Sequence, residues 1–260
     1  MTDPSPSPEA SASATYSLGA RFRDVIWAPA ALFDWLAQTP RWLDVLVVVS
    51  LITGASAWLL WNSDVGRSVV ANEQTKVMAI AKARLTEAQL QQVVEQMAQN
   101  PVTPARMAMR MAASMFMGPL VMALVCHVVF GWLLLAPTIR YVQVLSVISH
   151  ASCIGLLQQL FLHALSRTSG SLSTSTSVPH LLPFLAWPSE GSLAAAGLQL
   201  LDPFSLWWVG IVSLGLARVY RASWWPFGVV LTLALALFGL LHVLMEGARG
   251  SGGGGHGFGT

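Results

Sequence analysis

Five long runs of apolar residues, separated by polar connections, constrain this chain more than any other feature. They cover residues 42–61, 112–136, 141–165, 204–220 and 224–245, and charged side chains are nearly absent from them. Because a helix rises about 1.5 Å per residue, roughly 20 apolar residues cross a hydrocarbon core of about 30 Å. A soluble fold with 54% hydrophobic and only 10% charged residues would expose large apolar patches. The sequence therefore predicts an all-α, polytopic membrane protein with five transmembrane helices.

The segments outside these runs divide the chain into two tails and one membrane domain. Residues 1–19 are rich in Pro, Ser and Ala, which predicts a disordered N-terminal tail. Residues 247–260 are mostly Gly and predict a flexible C-terminal tail. The five-helix membrane domain then occupies residues 20–246. Within it, residues 21–40 alternate apolar and charged side chains on either side of Pro29, which predicts an interfacial helix broken into two short pieces.

The long polar connection between the first two runs contains its own helix signals. Thr86 followed by Gln89 fits a capping box, and an apolar stripe follows it. The sequence Asn100-Pro101 should stop this helix, and Thr103 before a proline offers the start of the next one. These signals predict an extramembrane helix in the first loop and a second span that begins outside the membrane. The connection at residues 166–201 combines a Ser/Thr run with short pieces broken by prolines, and we expect it to rest at the interface or partly re-enter.

Arginines in the short connections indicate the orientation in the membrane. With the N-terminus inside, the inner segments contain Arg21, Arg23, Arg41, Arg140, Arg218 and Arg221, whereas the third loop and the C-terminal tail contain Arg167 and Arg249. The long first loop carries further cations, but these are spread out and accompanied by acids. The distribution predicts a cytoplasmic N-terminus and an external C-terminus.

A His/Cys group in the second and third runs is the strongest candidate for chemistry. His127 and His150 lie about equally far from the intervening turn, so they should sit at similar depth. Cys126 neighbours His127, and Cys153 lies one turn from His150 on the same face. Their side chains suit zinc, copper or haem iron, and His163 lies at a spacing from His150 reminiscent of stacked haem ligands. The alternative is that the histidines donate hydrogen bonds between helices and the cysteines pack as small residues. We prefer this second interpretation and assign no metal or cofactor.

A methionine-rich stretch offers a second, weaker candidate at the start of the second run. Thioethers can bind Cu(I), but they also fill gaps in a core, and these methionines do not keep to one helical face. Packing is therefore the preferred interpretation. The residues concerned are Met107, Met109, Met111, Met115, Met117 and Met122.

Other function classes lack the sequence signals they require. The chain has no nucleophile–base pair, phosphate-binding glycine loop or HExxH pattern, so an enzyme is not expected. No acidic residue lies in the middle of a run, which disfavours an ion-coupled transporter. A net charge of +2 gives no reason to expect a nucleic-acid partner.

Several stretches resemble the Yip-one (Ypt/Rab-interacting protein, YIP) domain family, and the similarity extends over residues 22–245. LDPFSLWWVGIVSLGLA at residues 201–217 is similar to the family's fourth helix, which starts with Phe-hydrophobic-x-Trp and ends in Gly-Leu-Ala. APAALF at residues 28–33, before PRW at 40–42, looks like the proline-initiated lead-in to the first span. LTEAQL at residues 85–90 looks like the outer loop of bacterial members.

The resemblance implies a non-enzymatic, five-helix membrane domain with a cytosolic N-terminus. Eukaryotic members bind Rab-type GTPases in vesicle trafficking, but this chain lacks their Tyr-Gly-Pro element, so such a partner is not expected. The chain is closer to bacterial members, some of which are thought to accompany ABC exporters. The expected function is a scaffold or accessory transport subunit of the plasma (inner) membrane. Its partners would be the lipid bilayer and other membrane proteins, such as an ABC exporter or a second copy of the chain. The competing hypothesis is an electron-transfer protein that binds metal or haem through His127 and His150.

Overall fold

The computed structural model describes residues 16–133, 139–169, 176 and 202–251, and every regular element in these ranges is an α-helix. The predicted all-α class is confirmed for this part of the chain. The helices are α1 (Leu18–Trp27), α2 (Pro29–Gln38), α3 (Leu43–Trp61), α4 (Asp64–Arg84), α5 (Glu87–Gln99), α6 (Pro104–Leu133), α7 (Tyr141–Ser169), α8 (Pro203–Tyr220) and α9 (Trp225–Ser251).

Three of these helices are long and apolar enough to cross a membrane. They are formed by Leu43–Trp61, Pro104–Trp132 and Tyr141–Thr168 and correspond to the first three predicted runs. The second begins earlier than residue 112, because Thr103 caps it: the Arg106 backbone N–H donates to Thr103 Oγ1 at 3.3 Å. The apolar part of α9, Trp225–Gly239, is shorter than these three helices. Helix α8, with 18 residues, is not among the three either. Five spans therefore remain a prediction.

Helices α3 and α7 run parallel to each other. Gln143, near the start of α7, donates through Nε2 at 2.7 Å to the carbonyl of Ala37, near the end of α2 and six residues before α3. Further along, Gln159 Nε2 donates to the Thr53 carbonyl at 3.4 Å, with the same separation of 106 residues. The two helices therefore begin at one end of the bundle.

Helix α6 returns between them in the opposite direction. Gly54 of α3 lies against Ala112 of α6, and this small pair allows the close contact that makes α3 and α6 the most extensive pairing. Tyr141, at the start of α7, donates its hydroxyl to the Leu120 carbonyl of α6 at 2.9 Å. Gly155, farther along α7, faces Met115, which lies nearer the start of α6. The order α3, α6, α7 is thus an up–down–up arrangement.

Half of the residues of helix α8 are buried in the bundle. Asp202 caps it, accepting from the Phe204 backbone N–H at 3.0 Å, and Pro203 occupies its first turn. The helix packs against α2, α7 and α9. Gly215 permits this, because its missing side chain leaves room for Val147 and Phe33. The buried positions of α8 are Val209, Ile211, Val212, Ser213, Gly215, Leu216, Ala217, Val219 and Tyr220.

The two N-terminal helices follow the predicted break at Pro29. They pack beneath α7 and α8 at the end of the bundle where α3 and α7 begin and α8 ends. We call this the arginine end, because Arg41, Arg140, Arg218 and Arg221 all belong to segments there. The packing is apolar, with Leu32, Phe33 and Leu36 of α2 fully buried.

Several predicted boundaries shift. Leu18 and Gly19 belong to α1, so helix replaces the last residues of the predicted tail of residues 1–19. Ser17 provides the reason, because its side chain caps α1 by accepting from the Ala20 backbone N–H. At the other terminus α9 continues to Ser251, past the predicted limit of residue 246. The rest of both tails and nearly all of the connection 166–201 lie outside the described residues.

The first loop, where the sequence predicts one extramembrane helix, contains two helices, α4 and α5. Both halves of the capping box at Thr86 and Gln89 are present, and α5 ends before Asn100 as expected. The two helices have few contacts with each other and with α3. No residue of α5 is buried among the described residues.

Candidate functional site

The four residues of the predicted His/Cys group occupy separate environments. Cys126 and Cys153 are buried free thiols within the apolar core. His127 is half-buried and meets the Tyr141 ring edge-on, with centroids 6.1 Å apart. His150 is fully buried. Within the described ranges, no three His, Cys, Asp or Glu side chains lie close enough together to hold one metal ion.

His150 belongs instead to a polar group that the sequence analysis did not assemble. Its Nδ1 lies 2.7 Å from the Ser146 carbonyl oxygen, which can only accept, so in the neutral ring Nδ1 carries the proton. Its Nε2 is then a buried acceptor, and it has no partner among the described residues. Two charged side chains, Arg21 and Asp44, lie near enough to interact with the ring electrostatically.

Arg21 and Asp44 form the central ion pair of this group. The Arg21 side chain is only 3% exposed, whereas that of Asp44 is 43% exposed. Both terminal nitrogens of the guanidinium donate to the carboxylate, Nη1 to Oδ1 at 3.1 Å and Nη2 to Oδ2. The pair ties α1 to the first turn of α3. The sequence carries one signal of this pair, because Asp44 is the one acid in the first run. It predicts Arg21 only as part of the interfacial helix and as one of the inner arginines.

A second carboxylate, that of Asp24, joins α1 to the residue Tyr16 that precedes it. Asp24 accepts from Arg23 Nε at 2.7 Å and from the Tyr16 hydroxyl at 2.6 Å. The Arg23 guanidinium and the Tyr16 hydroxyl both stabilise the charged form, so they lower the pKa of Asp24. The same hydrogen bond raises the pKa of Tyr16. Asp24 therefore stays ionised at neutral pH and fixes the chain ahead of α1.

A cleft opens at the arginine end of the bundle. It has a volume of about 890 Å³ and lies between α2, the start of α7 and the turn joining α8 to α9. Arg218 Nη1 lies 3.4 Å from Asp34 Oδ2 across it, and both side chains are about half exposed. Its polar and aromatic lining consists of Asp34, Gln38, Gln143, Arg218, Arg221, Ser223, Tyr220 and Trp224.

The chemistry of these sites must be interpreted from the residues themselves. Searches against protein-family models, curated proteins and solved structures find no match for this chain.

Proposed function

We propose that this chain is a non-enzymatic membrane protein of the YIP type that acts as a scaffold or accessory subunit for other membrane proteins. Support comes from the three helices that are long and apolar enough to cross a membrane, and from the proline-initiated α2 ahead of α3. So does the cap of α8 at Asp202-Pro203, within the stretch that resembles the family. The chain would reside in the bacterial plasma membrane.

The observation that carries the proposal is the unpartnered apolar stripe of α5. Leu90, Val93 and Met97 are partly exposed, and Val94 is 46% exposed. An amphipathic helix gains most of its stability from burying its apolar face. Since the described part of the chain leaves this stripe incompletely covered, the proposed partner is another protein, such as an exporter subunit or a second copy of the chain.

Substitution of Val94 by Asp is expected to release the chain from its complex in blue-native gels of source membranes. A carboxylate in a docked apolar face would lose its hydration without gaining a partner. Because Val94 is already exposed, the same change should leave the thermal midpoint of the isolated protein nearly unchanged.

The matched control is Gln91→Asp, which introduces the same charge at an exposed position one turn earlier on α5. It should leave the complex intact. If both variants and the parent chain migrate alike, as a monomer, the scaffold proposal fails.

We further propose that the N-terminus is cytoplasmic and that α8 and α9 also cross the membrane. A reporter inserted at residues 218–222 should then be found on the cytoplasmic side, and one fused after Met245 on the outer side. The arginines at the end of α8 support this orientation through the positive-inside tendency. If both reporters are found on the same side, then α8 or α9 does not span.

A further inference from the structure

The arginine end carries the four most exposed tryptophans described. Trp27 and Trp132 are 80% and 84% exposed, and Trp224 and Trp225 about 60% each. They come from α1, the end of α6 and the α8–α9 turn, so three separate segments contribute. Tryptophan side chains prefer the headgroup level of a bilayer, where the ring is apolar and its N–H stays hydrated. This places the cleft at the arginine end beside lipid headgroups.

The same end carries cations that no described residue neutralises. Arg41, Arg140 and Arg221 are exposed and form no ion pair within the described ranges. The pair between Arg218 and Asp34 is long and half exposed, so it contributes little and Arg218 can turn to a better acceptor. Arginine is suited to phosphate because its planar fork donates two parallel hydrogen bonds.

Arg221 adds an independent observation. Its backbone is left-handed, with φ 51° and ψ 41°, and it is the one non-glycine residue with positive φ in the described part of the chain. It ends α8 at a position where glycine is the usual residue, because a side chain costs about 1 kcal/mol there. A strained arginine lining a cleft points to a role for its guanidinium.

We infer that this cleft binds the phosphate-bearing headgroup of an anionic phospholipid. Arg218 and Arg221 would contact the phosphate, Gln38 and Ser223 would offer further polar contacts, and Trp224 would line the cleft beside the glycerol region. The Asp34 carboxylate would repel the anion and compete with it for Arg218, so it would lower the affinity of the cleft for the lipid. Lipid rather than free phosphate is the expected source, because of the surrounding tryptophans.

The test is retention of phosphatidylglycerol by the full-length protein, counted by native mass spectrometry after release from nanodiscs. The nanodiscs contain phosphatidylcholine with phosphatidylglycerol as a minority lipid. For the double variant Arg218→Gln/Arg221→Gln, we expect retention to fall about tenfold or more, since each lost bond is charge-assisted. The matched control is Arg67→Gln/Arg110→Gln, which removes one paired and one exposed arginine distant from the cleft. It should change retention by less than about twofold.

Two single variants separate binding from folding. Arg221→Gly should raise the thermal midpoint in phosphatidylcholine, because it relieves the backbone strain, yet weaken lipid retention. Asp34→Asn should strengthen retention, because it frees Arg218. Equal loss in the cleft and control double variants would overturn the inference, as would a rise in retention with Arg221→Gly. Displacement of the lipid by millimolar inorganic phosphate would instead assign the cleft to free phosphate and would also overturn it.

Discussion

Replacing Asp44 with Asn is expected to destabilise the protein by about 2 kcal/mol, seen as a lower thermal midpoint in detergent or nanodiscs. Asparagine has nearly the same shape, so the main change is loss of the negative charge. The Arg21 guanidinium would then remain buried without a counter-ion. Breaking a wholly buried pair costs roughly 3–5 kcal/mol. The loss expected here is smaller, because water reaches the Asp44 side chain.

The matched control is Asp64→Asn, at the first turn of α4. Asp64 also accepts from an arginine, with Arg67 Nη2 at 2.7 Å, and it also lies at a helix N-terminus. Both side chains of this pair are exposed, at 62% for Arg67 and 98% for Asp64. A surface pair of this kind contributes about 0–1 kcal/mol, so the midpoint should barely move.

A second change should rescue the Asp44 variant. Adding Arg21→Met removes the unpaired buried charge and leaves a side chain of similar length to fill the space, so stability should return toward that of the parent. If Asp44→Asn and Asp64→Asn lower the midpoint equally, burial of Arg21 does not matter. The same conclusion would follow if the added Met made the first variant worse.

Substitution of Gly215 by Ala is expected to cost about 1–3 kcal/mol through overpacking. A Cβ at this position would overlap Val147 Cγ1 of α7 and lie 3.2 Å from the Phe33 ring of α2. Valine cannot easily turn away, because its branched side chain has few rotamers within a helix. Helix α8 would therefore have to move from α2 and α7, lowering the thermal midpoint.

The control for this variant lies on the same helix. At Gly210 an added Cβ would meet no neighbouring atom within 4 Å, so Gly210→Ala adds no clash and improves helix propensity by about 0.5–1 kcal/mol. The two identical substitutions should shift the midpoint in opposite directions. A stabilising Gly215→Ala would show that α8 is not held as tightly as described.

The local signals in the sequence predicted the helices and their ends well. These signals are local, because each side chain acts on backbone groups only a few residues away. They are the capping box at Thr86, the break at Pro29 and the N-cap at Asp202. The first three apolar runs were predicted equally well, because length and the absence of charge suffice to predict a helix that can cross a membrane.

The pairing of those helices depended on contacts between distant positions. Spacing along the chain suggested that His127 and His150 lie at the same depth, but depth does not determine which face of a helix a side chain occupies. The fold instead buries His150 within electrostatic range of Arg21 and Asp44, which come from two other helices.

The sequence by itself determined the helical class, the three apolar helices and most of their ends, because these follow from local hydrogen bonding and from the cost of placing charge in lipid. Only the tertiary structure decided that Arg21 is buried, that α8 lies deep in the bundle and that Arg218 and Arg221 share a cleft. Each of these depends on which helix faces meet, and that is settled by packing across residues far apart in the chain.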